Sequence, residues 1–149
     1  MTIADDTTLI ITRLFEAPPA RVFDAWLERE EWQSWIGPEG VDCEVHLLEP
    51  HVGGCYRLTM HVNGQPPIAV AGVFRVIERP RTLSFTWGAE GDPSRQSLVT
   101  LAFVELQGKT EMTRRQGGLG SGANRDQFER GWSSALNKLA RYLARKQSR

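Results

Sequence analysis

The sequence predicts an α+β fold in which a seven-stranded antiparallel sheet is covered by a long C-terminal helix, with two short helices between the first and second strands. Three observations carry this. One strand-like run is followed by helical spacing after a pair of prolines. The middle of the chain then switches to a period of two over six short runs divided by Gly, Pro, Asn or Asp. After a glycine-rich stretch, the chain returns to a helical period with one apolar stripe.

Thr7 to Phe15 is rich in β-branched and apolar residues, the composition of a strand. Ala17-Pro18-Pro19 closes it, and the second proline suits the first turn of a helix, where a missing N–H costs nothing. Val22, Phe23 and Trp26 recur at helical spacing. A second short helix covers Glu28 to Trp35 and stops at Ile36-Gly37-Pro38. The six runs that follow are Asp42–Glu49, Cys55–Val62, Ile68–Ile77, Thr82–Trp87, Ser97–Val104 and Thr110–Gln116. Their hairpin-sized spacings make an antiparallel meander. Side chains alternate across a strand, so Tyr56, Leu58 and Met60 share one face, as do Leu83, Phe85 and Trp87, while Ser84 and Thr86 turn the other way.

A sheet with one apolar face needs a cover. The final helix, expected from near Asp126 to near Ala144, supplies it through Phe128, Trp132, Leu136, Leu139 and Leu143. Asn124 reads as its cap, with Gln127 reaching back as in a capping box. Asp126 and Glu129 in the first turn, and Arg141, Arg145 and Lys146 in the last, suit the helix dipole. Gly117 to Gly122 reads as a flexible linker and the place for a loop that opens and closes.

At 149 residues the chain is read as one domain, 1–149, with a core from about 7 to 144. That length buries about two thirds of the unfolded surface and sustains one core. Eighteen basic and eighteen acidic residues give a formal net charge of zero, which argues against electrostatic attachment to nucleic acid or anionic membrane. The start, Met1-Thr2-Ile3-Ala4-Asp5-Asp6, lacks the basic and apolar regions of a signal peptide, and no later run has membrane-spanning length. A cytoplasmic protein without membrane insertion is expected.

Cys43 and Cys55 fall on adjacent strands joined near Pro50-His51-Val52-Gly53. A turn there sets Cys55 opposite residue 48 or 49 and leaves Cys43 roughly 17 to 20 Å further along, beyond bridging distance. Both are expected to be free thiols. His46, His51 and His61 with these cysteines form no recognisable metal motif, and no metal or cofactor is expected. Glu44, His46 and His61 are able to share a sheet face as an acid–base set, but alternating polar residues on a strand usually mark its solvated side. The glycines at 117–122 do not lead from a strand into a βαβ unit, so they form no dinucleotide site.

Certain of these residues, taken together and in order, resemble a known family. They are Ala17-Pro18 with Val22-Phe23-Asp24-Ala25-Trp26, then Trp32, Trp35-Ile36-Gly37-Pro38, Gly53-Gly54, Gly72, Pro80, Thr86-Trp87, and Gly131-Trp132 with Leu136 and Leu139. From Ile11 to Leu143 the chain resembles the START-like (SRPBCC, Bet v-like) superfamily. Within it the resemblance is to the activator of heat-shock protein 90 ATPase homologue family, in its small bacterial single-domain form. The resemblance implies a helix-grip fold with a cavity between sheet and C-terminal helix that in relatives holds apolar or amphipathic small molecules. Chaperone activation belongs to eukaryotic members that carry an additional N-terminal domain. This chain reads as lacking one, so contact with a chaperone is an alternative rather than the expectation. A cyclase- or hydrolase-like use of the cavity is the other alternative.

The five tryptophans, Trp26, Trp32, Trp35, Trp87 and Trp132, suit either a core or an apolar cavity wall, since each buries a large area while keeping one N–H to satisfy. The candidate ligand-binding residues are Trp35, Tyr56, Met60, Phe74, Trp87, Phe103, Arg114, Phe128 and Trp132, with the glycine-rich loop and Trp32–Pro38 at the mouth. No catalytic residue is assigned. Where bacterial members often end the last strand with an apolar residue and a His before Gly, this chain reads Met112-Thr113-Arg114-Arg115-Gln116-Gly117-Gly118. Arg114 either faces the cavity, waiting for an anionic partner because a buried unpaired charge is costly, or snorkels to water from an edge strand.

Overall fold

The structure, a computed structural model, describes residues 8–91, 96–117 and 122–147. Its order is β1 (Leu9–Phe15), α1 (Pro19–Asp24), α2 (Arg29–Trp35), β2 (Asp42–Leu48), β3 (Cys55–His61), β4 (Ile68–Glu78), β5 (Thr82–Ala89), β6 (Ser97–Leu106), β7 (Lys109–Gly117) and α3 (Gly122–Gln147). The strands form one antiparallel sheet in the order β1-β7-β6-β5-β4-β3-β2. The meander from β2 to β7 is therefore extended by β1, which returns to the far edge and pairs with β7. Because β1 and β2 lie at opposite edges, the α1–α2 segment carries the chain across the width of the sheet.

Local chemistry explains the short helices. Pro18 is extended at the cap of α1 and Pro19 opens it, the position where a fixed φ is pre-organised and no N–H is needed. After α2 the chain turns at Gly37, whose φ of +86° is a backbone conformation that glycine adopts without a Cβ penalty. The Gln33 side chain accepts the Val45 N–H at 2.8 Å, tying α2 to β2. Glu31 then gathers three elements: it accepts from Arg21 of α1 at 2.6 Å and from the Tyr142 hydroxyl of α3 at 2.8 Å.

The concave face holds the core. Tyr56, Leu58, Val70, Phe74, Leu83, Phe85, Val99, Leu101 and Met112 are buried there against Trp132, Leu136, Leu139 and Leu143 of α3. Trp26, Trp32 and Trp35 fill the space beneath the two short helices, with Trp26 and Trp35 meeting edge to face at 4.6 Å. The Trp35 indole donates to the Ala25 carbonyl at 3.0 Å. The indole nitrogens of Trp26 and Trp32 have no hydrogen-bond partner among the described residues.

Gly72 shows how tightly the sheet is filled. A Cβ there would stand 2.0 Å from the Thr86 carbonyl oxygen and 2.6 Å from the Tyr56 ring and hydroxyl. Its absence lets Tyr56 lie across β4 and donate its hydroxyl to the Thr86 carbonyl.

Several expectations are adjusted. The helix α3 starts at Gly122, so Asn124 lies inside its first turn rather than at its cap, and it runs on to Gln147 instead of ending near Ala144. Backbone hydrogen bonding continues past the predicted ends of β4, β5, β6 and β7 by one or two residues. Thr7 and Gly118–Ser121 of the glycine-rich stretch lie outside the described residues. The thiol geometry follows the turn argument: the Glu49 N–H bonds the Cys55 carbonyl at 2.9 Å and Cys43 pairs with Met60, leaving both cysteines unbridged.

Candidate functional site

A cavity of about 330 Å³ lies between the sheet and the first half of α3, within the range of small-molecule pockets of roughly 300–1,000 Å³. The sheet contributes Met60 from the end of β3, Ile68 and Val70 from the start of β4, and Trp87 from β5. The helix contributes Gln127, Phe128, Gly131, Trp132 and Ala135, a set at helical spacing that puts one stripe of α3 over the opening. Ile36, Gly37 and Pro38 close the third side. Among the described lining residues, Gln127 alone carries an amide, and none carries a charge. Gln127 and Ile68 are exposed, marking the rim.

The third side is held to the helix by polar contacts. Lys138 donates to the carbonyls of Gly37 at 3.1 Å, Ile36 at 3.3 Å and Pro38 at 3.5 Å. The Glu39 N–H bonds Ser134 Oγ at 2.7 Å, and the Arg141 guanidinium meets the Glu39 carboxylate at 2.6 Å. Burial, partly offset by Glu39, lowers the Lys138 pKa. These bonds gather the carbonyls of the turn that follows α2 and fix that wall to the helix.

Of the nine candidate residues, Met60, Trp87, Phe128 and Trp132 stand in the cavity wall. The other five lie deeper. Trp35 is packed under Trp26, Tyr56 and Phe74 cluster with Phe85, and Phe103 meets Phe23 edge to face at 5.3 Å at the α1 end of the sheet. The alternation of a strand assigns a side chain to a face but not to a position along that face, so residues of one inward row divide between core and cavity. Ile36, Gly37 and Pro38 fall where the mouth was expected. Ile68, Val70, Gln127, Gly131 and Ala135 were missed; at Gly131 and Ala135 the signal is small residues on the inward stripe of a helix, which leave space rather than fill it.

Arg114 is the departure from both sequence readings. It does not snorkel, because it has no exposed surface, and it is not in the cavity wall. Its guanidinium lies over the Trp132 ring, 3.9 Å from the centroid. A relay continues from it: Arg114 donates to Gln116 Oε1, Gln116 donates to Ser97 Oγ at 2.6 Å, and Ser97 donates to the Trp87 carbonyl at 3.0 Å. Both ends of this buried polar line therefore touch tryptophans of the cavity wall.

The acid–base candidates sit elsewhere. His61 pairs with Glu44 at 2.8 Å and His46 with Thr59 at 2.8 Å, all on the outer face of the β2–β3 hairpin. Among the described residues no group of three or more His, Cys, Asp or Glu could hold a metal ion. Among the described residues no helix is long and apolar enough to cross a membrane.

Comparison with known proteins matches this geometry. The AHSA1 protein of Silicibacter pomeroyi is 27% identical and superposes with a TM-score of 0.81 over 93% of this chain and 99% of that one. A Chromobacterium violaceum protein gives 24% identity and a TM-score of 0.83 over 91% and 96% of the two chains. One from Staphylococcus epidermidis gives 24% and 0.82 over 98% and 95%. No curated protein matches the chain. Residues 16–144 match the family described as Activator of Hsp90 ATPase homolog 1-like protein. The chain belongs to that family, within the SRPBCC type of fold.

Proposed function

We propose that this protein binds a small hydrophobic or amphipathic molecule in the cavity between β3–β5 and the first half of α3. The observation that carries the reading is the wall itself: about 330 Å³ bounded by Trp87, Trp132, Phe128, Met60 and aliphatic groups, with Gln127 at the rim. Apolar enclosure supplies affinity, and one polar side chain at the entrance suits a ligand with a polar end. The position of Glu44, His46 and His61 on the opposite side of the sheet favours binding over hydrolysis or cyclisation in the cavity. The balanced charge supports a small-molecule partner over nucleic acid.

Native mass spectrometry of the purified protein, together with tryptophan fluorescence titrations against fatty acids, sterols and aromatic polyketides, tests this. A co-purified small molecule, or a saturable change in the emission of Trp87 and Trp132, is expected. A bare protein whose emission and melting temperature respond to none of these compounds would remove the reading.

A further inference from the structure

Among the described residues, Arg114 is a buried cation without a counter-ion. No described carboxylate hydrogen-bonds or ion-pairs with it: its hydrogen-bond partner is the neutral Gln116, and its Nε and Nη1 atoms have none among the described residues. Tyr56 does not supply the missing charge, because burial pushes its phenol far above its ordinary pKa and its proton is committed to the Thr86 carbonyl. The Trp132 ring covers the guanidinium, a favourable contact but not a substitute for an anion in a dry interior. Burial pulls the guanidinium down to about 9, which still leaves it charged at neutral pH.

The same Trp132 ring is part of the cavity wall. The cation and the apolar cavity thus share one side chain, Trp132, while Gln116, itself held by Ser97, accepts a hydrogen bond from the guanidinium. We propose that the molecule taken into the cavity carries a carboxylate, and that Arg114 is its counter-ion, reached when the Trp132 side chain swings off the guanidinium. The inference deepens the binding reading and rests on it. The carboxylate accepts from Nε and Nη1, groups that meet no other acceptor among the described residues, and the apolar body of the ligand occupies the space beside Trp87 and Phe128. A charge-assisted hydrogen bond in such a site is stronger than one between neutral groups, so the head group and not only the shape of the tail sets selectivity.

The test compares molecules that differ only in head group: decanoate with decanol, and 2-naphthoate with 2-naphthylmethanol. Each is titrated against the wild-type protein at pH 7 and followed by tryptophan fluorescence and native mass spectrometry. Each acid is expected to bind at least tenfold more tightly than its alcohol. Arg114→Met should abolish that preference, and Arg114→Lys should keep part of it. Alcohols that bind as well as the acids to the wild type would overturn the counter-ion role and leave the cavity reading standing. If none of the four binds, both fall. The wild-type comparison requires no variant to fold; an Arg114→Met protein that folds and keeps the acid preference would also overturn the proposal.

Discussion

The guanidinium carbon of Arg114 lies 3.9 Å from the centroid of the Trp132 ring, so the last strand and the last helix meet through a cation on an indole rather than through an ion pair. Removing the ring does two things: it opens a hole and strips the cation of its cover.

Trp132→Ala is therefore expected to cost about 3 to 5 kcal/mol, as other large-to-small core changes do. Part of that loss should disappear when Arg114→Met is added, because the uncovered charge is then gone. Urea denaturation of the wild type, both single variants and the double variant checks this. A coupling of about 1 to 3 kcal/mol between the sites is expected, whereas additivity within about 0.5 kcal/mol would show that the contact contributes little.

Gly72→Ala should be more damaging than its single methyl suggests. The new Cβ would stand 2.0 Å from a backbone oxygen and 2.6 Å from Tyr56, and neither β5 nor the buried ring has room to retreat. Destabilisation at or beyond the upper end of overpacking, about 3 kcal/mol, is expected, with loss of soluble protein or a collapse of the melting temperature. A variant that melts within a few degrees of the wild type would show that β4 and β5 separate more easily than their pairing indicates.

The two cysteines should behave as chemically different groups. Cys55 is exposed, whereas Cys43 is buried and its thiol is pushed up to about 12, chiefly by burial. Only the thiolate reacts, and at pH 8 such a group is about one part in 10⁴ ionised. Alkylation of the native protein followed by mass spectrometry should label Cys55 alone, and denaturation without reductant should add Cys43. Slow native labelling of Cys43 should rise about tenfold per pH unit below 12 while the fold persists, since deprotonation is what limits it. Finding one intramolecular bridge would contradict the pairing of Cys43 with Met60.

The fold was legible because periodicity, prolines and glycines all act locally. Pro19 opens α1, Gly37 follows the end of α2, and the alternation of Leu83, Phe85 and Trp87 marks the buried face of β5. The start of α3 was not legible, because Asn124 is a good cap in isolation while the helix in fact begins two residues earlier. The site was legible by half. Trp87 and Trp132 announce an apolar wall, but a row such as Tyr56, Leu58 and Met60 runs from closed core to open cavity while staying largely apolar throughout. Only the three-dimensional curvature separates Tyr56 from Met60. Arg114 escaped both readings because its cover, the Trp132 ring, is set by how α3 folds back over β7, which no local pattern of residues records.

The return of β1 to the far edge of the sheet has a consequence for how the chain reaches this state. Thr12 and Thr113, whose hydroxyls meet across the β1–β7 pair, stand 101 positions apart. Closing so long a loop is entropically expensive before any contact rewards it. The hairpins from β2 to β7 are able to form as the polypeptide emerges, but β1 waits with its edge unpaired and its apolar residues Leu9, Ile11 and Phe15 uncovered. During synthesis this protein therefore exposes its earliest strand for longest, and the interval before β7 arrives is when it is most open to sticking to other chains.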